Sequence, residues 1–143
     1  MRFPRSRAAR AASILLALTV LSSCSKRGGG QLAITLHPGE SVKTVLDVHA
    51  GQAEGGTLTS CDLATLNQPD ADTLKALEQI DATVGKPAKS ATRHCSVEVD
   101  LTAHPDAAPG EYRLEVLFFY AFSAPFQVDQ EGSDFGSIFV TVQ

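Results

Sequence analysis

The sequence predicts a mainly-β fold: an antiparallel two-sheet sandwich with one short helical insertion near residues 71–81. Three observations carry this. Several segments alternate apolar and polar residues with period two, as a strand with one buried face requires. Proline and glycine punctuate those segments. A single stretch switches to helical spacing.

Leu32, Ile34 and Leu36 alternate with Ala33 and Thr35. His37-Pro38-Gly39-Glu40 follows as a type II turn, because Pro presets φ and Gly accepts φ > 0. Val42, Thr44, Leu46 and Val48 then oppose Lys43, Val45, Asp47 and His49. Residues 51–56 read as a loop and residues 57–63 as a third strand carrying Cys61. Gln68-Pro69-Asp70 opens the helical stretch, with Leu74, Leu77 and Ile80 on one face and Asp70 or Asp72 as cap. Gly85 and Lys86-Pro87 lie beyond its end.

Residues 95–101 alternate cleanly, with Cys95, Val97, Val99 and Leu101 on one side. Ala108-Pro109-Gly110-Glu111 reads as a second type II turn. Tyr112, Leu114, Val116, Phe118 and Tyr120 then alternate with Arg113, Glu115, Leu117 and Phe119. Ile138, Val140 and Val142 form the last strand, after an acidic loop over residues 129–134. About six strands with hairpin-type turns favour sheets packed face to face.

The run Pro109-Gly110-Glu111-Tyr112-Arg113-Leu114-Glu115-Val116 resembles the entry to the penultimate strand of bacterial immunoglobulin-like domains. The resemblance implies that the Tyr112 hydroxyl bonds back to nearby backbone. It departs from that family at Leu114, where a core cysteine would stand, and in having no tryptophan. A transthyretin-like sandwich fits nearly as well.

The N-terminus has a different character. Arg2, Arg5, Arg7 and Arg10 precede AASILLALTVLSS, residues 11–23. Thirteen helical residues rise only about 20 Å, short of a bilayer core of roughly 30 Å. A basic start, a short apolar run and small residues at its end make an export signal. Leu21-Ser22-Ser23-Cys24 resembles the lipobox of bacterial lipoproteins. That resemblance implies cleavage after residue 23, lipidation and acylation (palmitate) at Cys24, and a membrane anchor. Ser25, rather than Asp, implies passage to the outer membrane in a Gram-negative envelope. The organisation expected is a signal peptide over 1–23, a lipidated flexible tether over 24–30 and one sandwich domain over 31–143. With Cys24 lipidated, Cys61 and Cys95 remain as an even pair in an oxidising compartment, which supports a disulfide. A free thiol and a metal site are the alternatives.

Cleavage removes four of the twelve basic residues, leaving eight against sixteen acids, a net charge of −8. That argues against nucleic acid and against a broad anionic-lipid surface as partners. His37, His49, His94 and His104 read as turn or solvent-face residues, and no pair has metal-ligand spacing. A tertiary set of His49, His94 and His104 is the one metal alternative. Asp129 to Val140 fails as an EF-hand, since positions six and twelve are Asp134 and Val140. There is no nucleophile elbow. The expectation is therefore no enzyme, no metal and no cofactor.

Leu117 and Phe119 share a strand side with Arg113 and Glu115, the side that should face water. Either the helix from residue 71 covers them or they form an exposed partner surface. The function expected is a membrane-anchored envelope lipoprotein serving as a non-enzymatic binding or assembly module for another envelope protein. Metal or small-ligand capture and a small cell-wall hydrolase are the alternatives.

Overall fold

The computed structural model describes residues 29–143, with Gln127 and Val128 described by backbone alone. Cys24 and the signal segment lie outside the described residues. The elements run β1 (Gly30–Leu36), β2 (Ser41–His49), a 3-10 turn (Gly51–Ala53), β3 (Thr57–Leu66), α1 (Ala71–Leu77), β4 (Ile80–Val84), β5 (Ala88–Ala91), β6 (His94–Ala103), β7 (Gly110–Ala124) and β8 (Gln127–Val142). One sheet has the order β1-β8-β7-β3. The other has the order β2-β6-β4, with β5 also paired to β6. Two sheets face to face, with one helix, is the predicted mainly-β sandwich.

Period-two alternation decides what is inside. Leu32, Ile34 and Leu36 of β1 and Leu114, Val116, Phe118 and Tyr120 of β7 are buried, as are Ile138, Val140 and Val142 of β8. They meet Val42, Leu46 and Val48 of β2 and Cys95, Val97, Val99 and Leu101 of β6. Cys61 of β3 and Cys95 of β6 form a disulfide with a Cα–Cα distance of 5.9 Å. The bridge therefore ties the two sheets together. Bulges on both sides of Cys61 re-phase β3 against β7 around it.

The first turn forms as read: Gly39 has φ +81° and Glu40 N–H donates to the His37 carbonyl at 2.9 Å. The second does not. Ala107 N–H donates to the His104 carbonyl at 3.0 Å, so the chain reverses at Pro105-Asp106, and Gly110 already begins β7. The Tyr112 hydroxyl donates to the Ala108 carbonyl at 2.7 Å, the back-bond that the immunoglobulin-like resemblance implied.

Four further features depart from the sequence reading. First, β1 runs parallel to β8, with Gly30 opposite Gly136, while the other strand pairs are antiparallel. The turn at residues 37–40 carries the chain from one sheet to the other, so β1 and β2 cannot form a hairpin within one sheet. Gly29, counted in the tether, exchanges two hydrogen bonds with His49 of β2 before Gly30 joins β8. A Cβ on Gly30 would lie 2.0 Å from the Asp47 carbonyl oxygen, so only glycine permits the crossing. Second, residues 80–91 form an edge strand in two pieces, β4 and β5, both on β6. Lys86-Pro87 interrupts it where proline is tolerated.

Third, α1 ends at Leu77 and buries Thr73 and Ala76, while Leu74 is 49% exposed and Ile80 belongs to β4. Asp70 sets this phase: its carboxylate accepts from Thr73 N–H at 3.0 Å and the Thr73 hydroxyl at 2.9 Å. The Thr73 hydroxyl oxygen in turn accepts from Glu115 N–H at 3.0 Å, just past the end of β3. Fourth, residues 129–134 are not a loop but part of β8, paired with β7. The turn is Pro125-Phe126, between the Ala124 and Gln127 pair.

Candidate functional site

The side of β7 that faces away from the core carries Glu111, Arg113, Glu115, Leu117, Phe119 and Ala121. Register places Thr141, Phe139, Ser137, Phe135, Ser133 and Glu131 of β8 beside them in that order. From β3, Leu63 lies opposite Phe119 and Thr65 opposite Leu117. From β1, Ala33 lies beside Phe139. Directly opposed residues share a sheet face, so these side chains form one surface. Leu63 is 51% exposed, Phe135 47%, Phe139 40% and Phe119 39%. Leu117 lies half-buried among them. The helix does not shield this face. It packs at the Glu115 edge of β7 and carries the chain across to β4, and its Asp72 and Lys75 border the Arg113–Phe139 end.

Arg113 is tied down. Its Nη2 lies 3.1 Å from Asp72 and 3.6 Å from Asp70, and its Nη1 lies 3.3 Å from Glu115. The hydrogen bond to Asp72, with the neighbouring acids, raises its pKa further above the usual range. Asp70 is held below the usual carboxylate range, first by the Thr73 backbone N–H and then by the Thr73 hydroxyl. The fixed cation is thus used inside the domain. Glu111 and Glu131 stand exposed on the same face.

Asp134, the residue at the sixth position of the failed EF-hand pattern, points to the core side of β8. Its carboxylate accepts from the Tyr120 hydroxyl at 2.5 Å and from Gly51 N–H at 2.9 Å, while Gln52 N–H donates to the Tyr120 oxygen at 3.1 Å. Burial, then this carboxylate, raises the Tyr120 pKa well above its ordinary value. The trio seats the 3-10 turn on the β7–β8 hairpin.

The histidines divide between the two ends of β6. His49 and His94 face each other across the β2–β6 pair, with ring centroids 5.2 Å apart. His94 Nδ1 lies 2.6 Å from Asp47, whose other oxygen accepts from the Ser90 hydroxyl at 2.6 Å. His104 sits at the far end, with Nε2 at 2.9 Å from Asp81. The carboxylate hydrogen bond raises the His104 pKa. So His49, His94 and His104 do not converge. Among the described residues no group of three or more His, Cys, Asp or Glu is placed to hold a metal. Among the same residues, no helix is long and apolar enough to cross a membrane.

The sequence marked Leu117 and Phe119 but not Phe135, Phe139 or Leu63. The one signal for them was an apolar residue on the outward phase of a strand; their convergence depends on register.

No protein-family model matches the chain, and no curated protein matches it. Several solved structures resemble it loosely, among them the following two. PbICP-C, solved in complex with falcipain-2, is 20% identical over 87% of this chain and 98% of its own, with a TM-score of 0.35. A family 123 glycoside hydrolase from Clostridium perfringens is 10% identical over 79% of this chain and 23% of its own, with a TM-score of 0.33. Neither likeness bears on what this chain does.

Proposed function

We propose that this chain is an envelope lipoprotein, anchored through Cys24 in the outer membrane. In this reading the sandwich is a non-enzymatic binding or assembly module that meets another envelope protein. The observation that carries the binding role is the outer face of the β1-β8-β7-β3 sheet, where Leu63, Phe119, Phe135 and Phe139 are between 39% and 51% exposed. Grouped exposed aromatics mark a contact surface, whereas scattered ones need no explanation. Aromatic side chains also dominate the energetics of protein contacts. Because Arg113 is paired internally and Glu111 and Glu131 are exposed, the face suits a partner with an apolar strip flanked by lysine or arginine. The anchor is supported by the Leu21-Ser22-Ser23-Cys24 pattern behind an apolar run too short to span.

Crosslinking in intact cells tests the face. Phe119→Asp and Phe135→Asp should each reduce the captured species about tenfold or more, since one lost hot spot exceeds 1.4 kcal/mol. Val45→Asp, at the exposed apolar position of the opposite sheet, should leave capture intact. Equal capture in all three removes the face as the site. For the anchor, Cys24→Ala should abolish incorporation of labelled palmitate and leave an uncleaved or soluble precursor. Unchanged labelling in that variant removes the anchor.

A further inference from the structure

We propose that the tip of the β7–β8 hairpin is a second point of membrane contact, with Phe126 seated in the lipid headgroup region of the membrane that holds Cys24. This rests on the lipid-anchor reading above.

The turn itself is the first observation. Ala124 pairs with Gln127, leaving Pro125-Phe126 as a two-residue connection. Phe126 has φ +64° and is 105% exposed, so its ring is wholly in water. Proline followed by a residue with φ > 0 is the pattern of a type II turn, whose second position favours glycine or asparagine. Phenylalanine here is disfavoured by the backbone and touches no core residue. Nothing in the fold accounts for it.

The second observation is direction. β1 is parallel to β8, and Gly30 lies beside Gly136. Residues 127–135 therefore project past the point where the chain enters the domain, toward the side from which it arrives. At about 3.3 Å per residue those nine residues extend roughly 30 Å. Cys24 precedes Gly29 by five residues, a reach of at most about 18 Å. A bilayer holding Cys24 thus lies closer to Gly29 than the hairpin is long. A domain standing upright on its anchor drives the turn into the headgroup layer.

Charge limits the depth and selects the geometry. Asp129 and Glu131 follow the turn on β8 and are exposed, and Glu54 is exposed in the loop whose Gly56 lies against Ser123 and Ala124. Acids beside the turn oppose burial of the sheet face in lipid. They leave the ring of Phe126 as the group that enters, with the carboxylates in the hydrated headgroup layer. Phenylalanine, with Trp and Leu, is among the side chains that interfacial segments bury at the headgroup and acyl boundary.

The chain contains no tryptophan, so Phe126→Trp creates a single reporter. The full chain, exported and processed in cells, is reconstituted in vesicles of phosphatidylethanolamine and phosphatidylglycerol with brominated acyl chains. Trp emission from Phe126→Trp should shift to the blue and be quenched, while Phe139→Trp, at the far end of the sheet, stays unquenched. Protein that carries acyl chains by mass and sediments with vesicles, yet shows unquenched emission from Phe126→Trp, overturns this proposal alone. Equal quenching in the Phe139→Trp variant overturns it in favour of a face lying flat on lipid. Protein without acyl chains that stays in the supernatant removes the anchor, and this proposal with it.

Discussion

The two outer faces of the sandwich are built by the same alternation and carry opposite chemistry. On the β2-β6-β4 sheet the outward residues close on one another. Ser41 bonds Thr102 at 2.8 Å, Lys43 lies 4.0 Å from Asp100, and Asp47 bonds His94 at 2.6 Å. Val45, at 51% exposure, is the one large exposed apolar side chain there among the described residues. On the β1-β8-β7-β3 sheet, Leu63, Phe119, Phe135 and Phe139 take the equivalent outward positions. Both inner faces are apolar, so core formation does not demand the difference. A sheet needs one buried face to fold. A second apolar face, half exposed, adds little to the isolated domain and opens it to association. The contrast therefore points to contact rather than to stability.

The sharpest way to break this comparison uses adjacent residues. Phe118 is fully buried and Phe119 is 39% exposed. Phe118→Ala should cost about 3–5 kcal/mol in urea denaturation. Phe119→Ala should stay within about 1 kcal/mol. Similar losses at both positions would make the outer face part of the fold and not a surface. Next in size is the link between the sheets. Replacing Cys61 and Cys95 together by Ala should lower stability by roughly 3–4 kcal/mol on the loop-closure model. Thiol counting on the unfolded, unreduced protein checks the pairing: a reactive sulfhydryl at either position contradicts it. Smaller again is Tyr112→Phe, which removes the bond to the Ala108 carbonyl while keeping the ring; about 1 kcal/mol is expected.

The smallest effect lies on the polar sheet and depends on pH. His104 has a raised pKa because the Asp81 carboxylate hydrogen-bonds its ring, with Asp106 adding charge nearby. The pair therefore stabilises fully below the unfolded imidazole value of about 6.5 and stops doing so as pH rises through the higher folded value. The midpoint difference between the parent protein and His104→Gln should be present at about pH 5.5 and shrink as the pH is raised above the unfolded imidazole value of about 6.5. A difference that grows with pH reverses the sign and rules out the ion pair as its source.

Much of the interior could be read directly, because inward and outward residues alternate within one strand. Thr44, Cys95 and Tyr120 all lie where their phase put them. The helix was half legible. Its cap at Asp70, its start and the inward positions of Leu77 and Ile80 are readable, but the stripe is completed by the small residues Thr73 and Ala76 in place of Leu74, which is 49% exposed. Residues 129–134 read as a loop because of their acids, yet Asp129 and Glu131 suit the solvent side of a long hairpin, and Asp134 turns inward to the Tyr120 hydroxyl and Gly51 N–H. The turn at Pro125-Phe126 is not legible in the sequence, because phenylalanine is not a residue that φ > 0 would suggest.

The candidate site divides the same way. Leu117 and Phe119 were visible as apolar residues on the wrong phase of one strand. Their neighbours Phe135 and Leu63 became visible only with the pairing of β7 to β8 and β3.

What the sequence determined by itself is therefore local: which side chains turn inward, where the first turn reverses, which carboxylate caps the helix and which tyrosine bonds back. Each follows from residues a few positions apart, where chain geometry leaves few choices. Only the tertiary structure decided that β1 joins β8 in parallel, that the edge of β6 is shared by β4 and β5, and that four exposed apolar side chains lie on one surface. Those facts depend on which strands become neighbours. Sheet hydrogen bonds are alike for every sequence, so neighbour choice is settled by the packing of the whole core.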